Sequence, residues 1–298
     1  YQNWIKYFNN ICDHVVFITP SKWFTSDDKL LIHLREYMKK QSVIKLQHYS
    51  NDDEFPGVSI KGGVSYFHID NTIKRTEEHI TSFNGVDINL SSFDDIIISS
   101  PSLIPVYLHM KQYIQDDNVL SSMYVPQGRY ITSEDVLSKT KRDESDIVCY
   151  VSQPKGFTNY CSPNSVNTDK KGNSPSIDGW KVVTTAAAYS GTSGFANLFI
   201  GKPGTIHSKS YISFNVNNEE EASSLESYMK CKLPHIMLSL RKITHNITNK
   251  NVLSWIPVPP LNKIWSNNDV FDYYGFTPEM RELTMEYEID GSFIKDTI

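Results

Sequence analysis

Ten basic residues, interleaved with aromatic ones, lie between Tyr124 and Tyr211. This segment holds ten Lys and Arg against seven Asp and Glu, a net of +3, while the rest of the chain holds 19 basic and 27 acidic residues, a net of −8. Basic side chains bind phosphate and aromatic rings stack on bases, so the pattern is typical of a nucleic-acid-facing surface. Ordinary fluctuation of charge along an acidic protein remains the alternative. The residues concerned are Arg129, Lys139, Lys141, Arg142, Lys155, Lys170, Lys171, Lys181, Lys202 and Lys209, with Tyr130, Tyr160, Trp180, Tyr189 and Tyr211 among them.

A glycine pair in the stretch FPGVSIKGGVSYF (55–67) lies where a polar loop enters an alternating apolar strand. Gly62 and Gly63 allow backbone conformations that other residues avoid. They mark either a plain strand entry or a place where the backbone must allow close approach of a ligand.

A second short motif, Pro20-Ser21-Lys22-Trp23, follows the apolar run VVFITP. Open α/β sheets bind ligands at the carboxyl ends of their strands. Lys22 is therefore a candidate phosphate contact, and Trp23 either lines a cleft or packs under the following helix.

A third basic group, Arg241, Lys242 and His245, lies at the end of a predicted helix. Positive charge at a helix C-terminus is favourable by itself. The alternative interpretation is contact with a DNA backbone.

The first hundred residues alternate between strand and helix patterns. The continuous apolar run 15–20 predicts a buried parallel strand, residues 30–40 predict a helix, and 44–49 and 64–69 predict further strands. Strand, helix, strand with short connections is the signature of an α/β sheet. We therefore expect an α/β domain over 1–100.

A change of pattern follows Ser100-Pro101-Ser102, where Ser102 is expected to cap a linking helix that reaches Gln115, within a linker of 101–122. Short β-type runs alternate with Gly, Ser, Asn and Pro loops up to Tyr211. A long helix, 217–242, is expected to break near Lys232 and Leu233 because of Pro234. Two capped helices finish an α+β domain over 123–298.

Composition narrows the class of protein. The chain has 298 residues, 39% of them apolar, with no apolar run of the length that a membrane span needs. The four cysteines form no C-x-x-C pair, which argues against zinc ribbons and disulfide oxidoreductases. We expect reduced thiols in a cytoplasmic protein that does not enter a membrane.

Several of these stretches resemble one enzyme family. ITPSKWF (18–24), LREYMKK (34–40) and EFPGVSIKGGVSYFHID (54–70) are similar, in this order, to the second half of the catalytic domain of gamma-class N6-adenine DNA methyltransferases of restriction-modification systems, with TaqI-like organisation. The C-terminal part resembles their target-recognition domain, through the stretches 210–246, WIPVPPL, WSNNDVF and YYGFTPEM. The likeness covers about two-thirds of the chain and is weakest from about 75 to 175.

The resemblance implies a fold and a function. It implies a partial Rossmann-like methyltransferase sheet followed by the recognition domain, with double-stranded DNA as partner. Family members extrude the target adenine and stack an aromatic on it, and Phe67, with Tyr66 beside it, occupies the matching position. Gly62 and Gly63 would then allow the extruded base to pass close to the backbone. The alternative is that Phe67 is a core aromatic.

The family's S-adenosylmethionine motif and its N-P-P-Y or N-P-P-F motif do not occur in this sequence. We therefore expect no catalytic residue in this chain, no bound cofactor and no methyl transfer without a missing N-terminal methyltransferase half. The DNA contacts implied are Lys22, Arg129, Lys141, Arg142, Lys155, Lys170, Lys171, Lys181, Arg241 and Lys242.

Two other classes of function stay open. The chain would serve equally as a stand-alone DNA-specificity module of a restriction endonuclease, with the α/β part as scaffold only. A methyltransferase-like protein that acts on RNA or protein is the third possibility. Readers of single-stranded RNA generally need exposed aromatic platforms, which sequence alone does not reveal.

Overall fold

The structure is a computed structural model that describes residues 1–49, 60, 62–151, 158–168, 177–187, 194–241 and 250–288. The chain divides into two compact units. The first contains Tyr1–Val106 together with Leu240 and Arg241, and the second contains Tyr107–Ser239 and the described residues from 250 onward. Both mix helices and strands. No helix formed by these residues is long and apolar enough to cross a membrane.

The first unit is built on a five-stranded mixed sheet. Its elements are α1 (Gln2–Asn9), β1 (His14–Pro20), α2 (Lys29–Met38), β2 (Val43–Tyr49), β3 (Val64–Asp70), β4 (Thr81–Phe83) and β5 (Val86–Ile88). The spatial order is β1-β3-β2-β4-β5. β3 runs antiparallel to both β1 and β2, so these two strands point the same way on either side of it. β2 is parallel to β4, and β4 is antiparallel to β5.

The prediction of a buried parallel strand over 15–20 is wrong. β1 is an outer strand of the described sheet and pairs only with the antiparallel β3. Val15 and Thr19 are buried on one face, whereas Val16 and Ile18 on the other face are 51% and 58% exposed. A strand that is apolar on both faces is fully buried only when other elements cover both faces. The described elements cover only one face of β1.

Local sequence signals explain how α2 begins and how it is held. The Asp28 carboxylate accepts hydrogen bonds from the backbone N–H groups of Leu30 and Leu31, which satisfies donors that the first helical turn leaves free. Arg35, 2% exposed, donates to the carbonyls of Trp23 and Phe24 at 3.1 and 3.3 Å. Its guanidinium thus fixes the short 3-10 turn that follows β1.

The second unit begins within a short helix, α3 (Ile104–Lys111), which ends earlier than the predicted Gln115. Two small sheets follow, with the strand orders β10-β9-β12-β6 and β11-β7-β8. β11 is parallel to β7, and the other pairs are antiparallel. The strands are β6 (Tyr124–Val125), β7 (Ile147–Tyr150), β8 (Thr158–Cys161), β9 (Trp180–Thr185), β10 (Phe199–Gly201), β11 (Thr205–His207) and β12 (Tyr211–Val216).

Helices complete the chain: α4 (Glu219–Lys230), α5 (Lys232–Arg241), α6 (Lys250–Leu253), α7 (Asn267–Tyr273) and α8 (Pro278–Glu286). The predicted helix break is confirmed, but it lies one residue earlier, at Cys231, whose backbone is extended with a ψ of 157°. Pro234 lies in the first turn of α5, where its missing N–H is not needed. The predicted caps of α7 and α8 are also confirmed, by Ser266 with Asp269 and by Thr277.

Candidate nucleic-acid interface

Two of the sequence motifs meet at the carboxyl end of β1. The backbone N–H of Ser21 donates to the carbonyl of Gly63 at 3.0 Å, so the turn after β1 lies against the glycine pair. Gly62 and Gly63 have φ of 88° and 76°, in the left-handed region that glycine adopts without strain. The conformation of the strand entry therefore accounts for both glycines. Lys22 is exposed beside them.

The polar groups next to this turn are already used within the protein. The Ser21 hydroxyl lies 2.8 Å from Nδ1 of His48, and the Trp23 indole N–H donates to Ser65 Oγ at 3.1 Å. Burial lowers the pKa of His48 to about 4, so its ring is neutral at pH 7. The Ser21 hydroxyl, Nδ1 of His48 and the Trp23 indole N–H thus have partners within the protein and are not free to hold S-adenosylmethionine. Trp23 is fully buried, as its packing alternative predicts.

Phe67 is a core residue, which corrects its assignment as the ring that stacks on an extruded base. Its side chain is 0% exposed, with ring centroids 6.2 Å from Phe17 and 6.3 Å from Trp23. Tyr66, the neighbouring candidate, points to the opposite face of β3 and is half-buried. The Phe67 ring is therefore not accessible to an extruded base in the described part of the chain.

Lys181 and Arg241 are also corrected as DNA contacts. Lys181 is 0% exposed, and its ammonium donates to the carbonyl of Thr205 at 2.9 Å. Burial lowers its pKa to about 8. Arg241 is 8% exposed and pairs with Asp95 at 2.7 Å. Neither cation is available on the surface for a phosphate.

The other predicted contacts are exposed or half-exposed but have acidic neighbours. Arg129 follows Gly128 and is half-buried, while Lys141 and Arg142 are exposed. Residues 134–146 contain three basic and five acidic side chains, a net of −2. The Asp146 carboxylate folds back on this loop and accepts from the backbone N–H of Arg142 at 2.8 Å. This loop is therefore a poor phosphate surface. Lys155, Lys170, Lys171 and Lys242 lie outside the described residues.

One end of the two small sheets brings three connections together. The N–H of Ser208, after β11, donates to the carbonyl of Tyr150 at the end of β7, at 2.9 Å. The N–H of Ala186, after β9, donates to the carbonyl of Ser210 at 2.8 Å. Between Ser208 and Ser210, Lys209 is exposed. We call this the β9 end, meaning the described residues Val151, 186–187, 194–198 and 208–210.

The charge of the β9 end contrasts with that of the opposite end. The described residues of this end contain Lys209 and no Asp or Glu. At the opposite end, Asp146 precedes β7 and Asp178 precedes β9, so carboxylates share that end with Lys202. A polyanion is attracted to the first surface and repelled from parts of the second.

Comparison with known proteins gives structural neighbours only. No family model matches the sequence, and no curated protein matches it. The structure of the type IIL restriction-modification enzyme MmeI in complex with DNA is similar with a TM-score of 0.44 and 11% identity, over 100% of this chain and 46% of that one. The type IIG restriction endonuclease BpuSI is similar with a TM-score of 0.30 and 13% identity, over 94% and 48%. The chain spans less than half the length of either structure.

Proposed function

We propose that this chain is the DNA-recognition part of a site-specific N6-adenine DNA methyltransferase of a restriction-modification system. The order of the motifs that resemble this family supports the proposal. The single structural observation behind it is the β9 end, where three connections converge and the described residues carry the exposed Lys209 and no carboxylate. Phosphate contacts from such a surface position a protein on a duplex, and polar side chains beside them read base edges.

The proposed partner is the half of the enzyme that carries the cofactor and the N-P-P-Y or N-P-P-F motif. Of the fifteen large apolar side chains exposed among the described residues, six fall within the first 18 residues: Tyr1, Trp4, Tyr7, Ile11, Val16 and Ile18. Concentrated apolar surface is typical of interaction sites, and an outer strand such as β1 accepts a further strand. S-adenosylmethionine, bound by that half, would supply the methyl group.

A stand-alone specificity module of a restriction endonuclease is the second candidate. The burial of Phe67 favours this second candidate, because a specificity module does not have to hold an extruded base. The gene sequence upstream of Tyr1 separates the two. An N-P-P-Y or N-P-P-F motif within about 40 residues, the length of a βαβ unit, supports the methyltransferase, and a start codon there supports the module.

Duplex binding at several salt concentrations tests the shared part of both proposals. Because bound lysines and arginines release counterions, the affinity for a mixed-sequence duplex should fall steeply between about 50 and 200 mM salt. An affinity that does not change with salt contradicts DNA recognition of either kind.

In the same samples, labelled S-adenosylmethionine should give no methyl incorporation by this chain alone.

A further inference from the structure

Asn197, at the β9 end, has a backbone conformation that few residues adopt. Its φ is 52°, and among the described non-glycine residues only Asn84 shares a positive φ. Asparagine tolerates this region better than most residues, yet it still carries strain there. Strain of this kind persists only where the surroundings hold the chain in place.

The segment before Asn197 is held by contacts from two sides. The backbone N–H of Phe195 donates to Nδ1 of His235 at 3.1 Å. The carbonyl of Ala196 accepts from the Thr184 hydroxyl at 2.7 Å and from the Thr185 N–H at 3.1 Å. These hydrogen bonds fix the backbone immediately before Asn197, which gives its half-buried side chain a rigid base.

The two asparagines with positive φ differ in what their amides do. The Asn84 amide is bonded on both sides to the backbone of His48, accepting at 2.7 Å and donating at 3.2 Å. The half-buried Asn197 side chain makes no hydrogen bond to another described residue. Asn84 therefore has a structural role, whereas the donor and the acceptor of Asn197 are presented together without a partner in that part of the chain.

Lys209 lies close to Asn197 at the same end. Thr185 is bonded to Ala196 on one side and pairs with Tyr211 of β12 on the other. Ala196 and Tyr211 therefore lie on either side of Thr185, about two strand spacings or ~10 Å apart. Asn197 follows the first of them, and Lys209 lies two residues before the second. An exposed ammonium and a rigidly based amide at this separation match the needs of a phosphate contact and a base contact.

We propose that Asn197 reads a base edge in the major groove while Lys209 holds a neighbouring phosphate. A carboxamide pairs with N6 and N7 of adenine through two hydrogen bonds, and such a pair discriminates between bases. This inference rests on the proposed function and adds to it which end of the recognition unit faces the duplex. The described residues of this end include no Asp or Glu, which agrees with that orientation.

The test for Asn197 is selection by the whole chain from a pool of duplexes with a randomised core, followed by sequencing of the bound fraction. Asn197→Gly keeps the positive φ and removes the amide; it should lose the preference at one base pair by about 10-fold to 100-fold and keep the others. Asn197→Asp also tolerates the backbone, and its carboxylate should shift that preference toward cytosine. Asn215→Asp, at an exposed asparagine near the opposite end of β12, is the matched control and should leave the selected motif unchanged.

The lysines supply a second, independent measurement. Lys209→Ala should weaken binding to all sequences alike and lower the slope of log K against log salt by about 1. Lys202→Ala, at the exposed turn on the other side of β11, should leave the slope unchanged. The reverse result for the two lysines would place the opposite end on DNA and overturn the inference.

The outcomes also distinguish a failure of the role proposed for Asn197 from a failure of the proposed DNA-recognition function. Wild-type chain that selects a motif, together with Asn197→Gly that selects the same motif equally strongly, refutes the role of Asn197 and leaves the proposed function standing. Wild-type chain that binds no duplex refutes both. Thermal melting of each variant shows whether a loss of binding comes from unfolding.

Discussion

Nδ1 of His235, on α5, accepts a 3.1 Å hydrogen bond from the backbone N–H of Phe195. An atom that accepts in this position must be unprotonated. Burial of His235 lowers its pKa to about 4, which keeps the ring neutral at pH 7. This hydrogen bond therefore holds Phe195, at the β9 end, to α5, with 40 residues between donor and acceptor. Because it needs an unprotonated ring nitrogen, the hydrogen bond depends on pH.

We predict that the chain loses stability as the pH falls from about 6.5 toward 4. His48, His207 and His235 all have folded pKa values of about 4, below the unfolded value of 6.5. The unfolded state binds more protons between these values, so the stabilisation is complete above about 6.5 and declines below it. Each histidine contributes up to about 1.4 kcal/mol per pH unit in that window. Urea unfolding at about pH 7 and about pH 5 measures the loss.

His235→Asn is the control for that pH dependence. An asparagine oxygen can replace Nδ1 as acceptor and does not titrate, so the variant should show a shallower decline than wild type. Equal declines in the two proteins would mean that His235 does not change its protonation on unfolding.

Gly194→Ala should be strongly destabilising. A Cβ on Gly194 would lie 1.7 Å from Nδ1 of the buried His235, which has no room to move aside. Overpacking of this kind costs about 1–3 kcal/mol or more in unfolding free energy. Gly179→Ala is the matched control, since its nearest atom lies at 3.9 Å, and it should change stability little.

The double variant Gly194→Ala with His235→Ala identifies the source of that cost. Removing the ring should relieve the clash, so the two changes together should destabilise by less than the sum of each alone. Additive effects would show that the ring and the glycine do not interact.

Phe67→Ala should destabilise the first unit by about 3–5 kcal/mol, the usual cost of removing a fully buried phenylalanine. Tyr66→Ala, at the half-buried neighbour, should cost less. Chemical denaturation monitored by tryptophan fluorescence compares the two, because Trp23 packs against Phe67. A Phe67→Ala protein with wild-type stability would restore the base-stacking interpretation.

Arg241→Ala should lower stability and leave the salt dependence of DNA binding unchanged. Its guanidinium pairs with Asp95, whose side chain is 48% exposed, so we expect a loss between that of a surface pair and that of a buried one, roughly 1–3 kcal/mol. Asp95→Asn should cause a similar loss. A lower salt slope in Arg241→Ala alone would return Arg241 to the DNA contacts.

Features governed by near neighbours in sequence were predicted well. The cap of α8 at Thr277, the capping box of α7 and the break before Pro234 each depend on a few adjacent residues. Gly62 and Gly63 have the positive φ that glycine adopts without strain, while the close approach of a ligand at them stays a prediction. Short-range hydrogen bonds and steric limits decide all of these, and both can be read from the sequence.

Only the tertiary structure decided which side chains are accessible. Phe67, Lys181 and Arg241 have the residue types of a DNA site, but each is buried by partners far away in sequence. The outer position of β1 likewise depends on its pairing with the distant β3. The positive φ of Asn197 was also visible only in the structure, because no sequence pattern distinguished this residue from other loop asparagines. Burial and convergence are set by which distant elements meet, and a residue's own type and spacing carry little information about that choice.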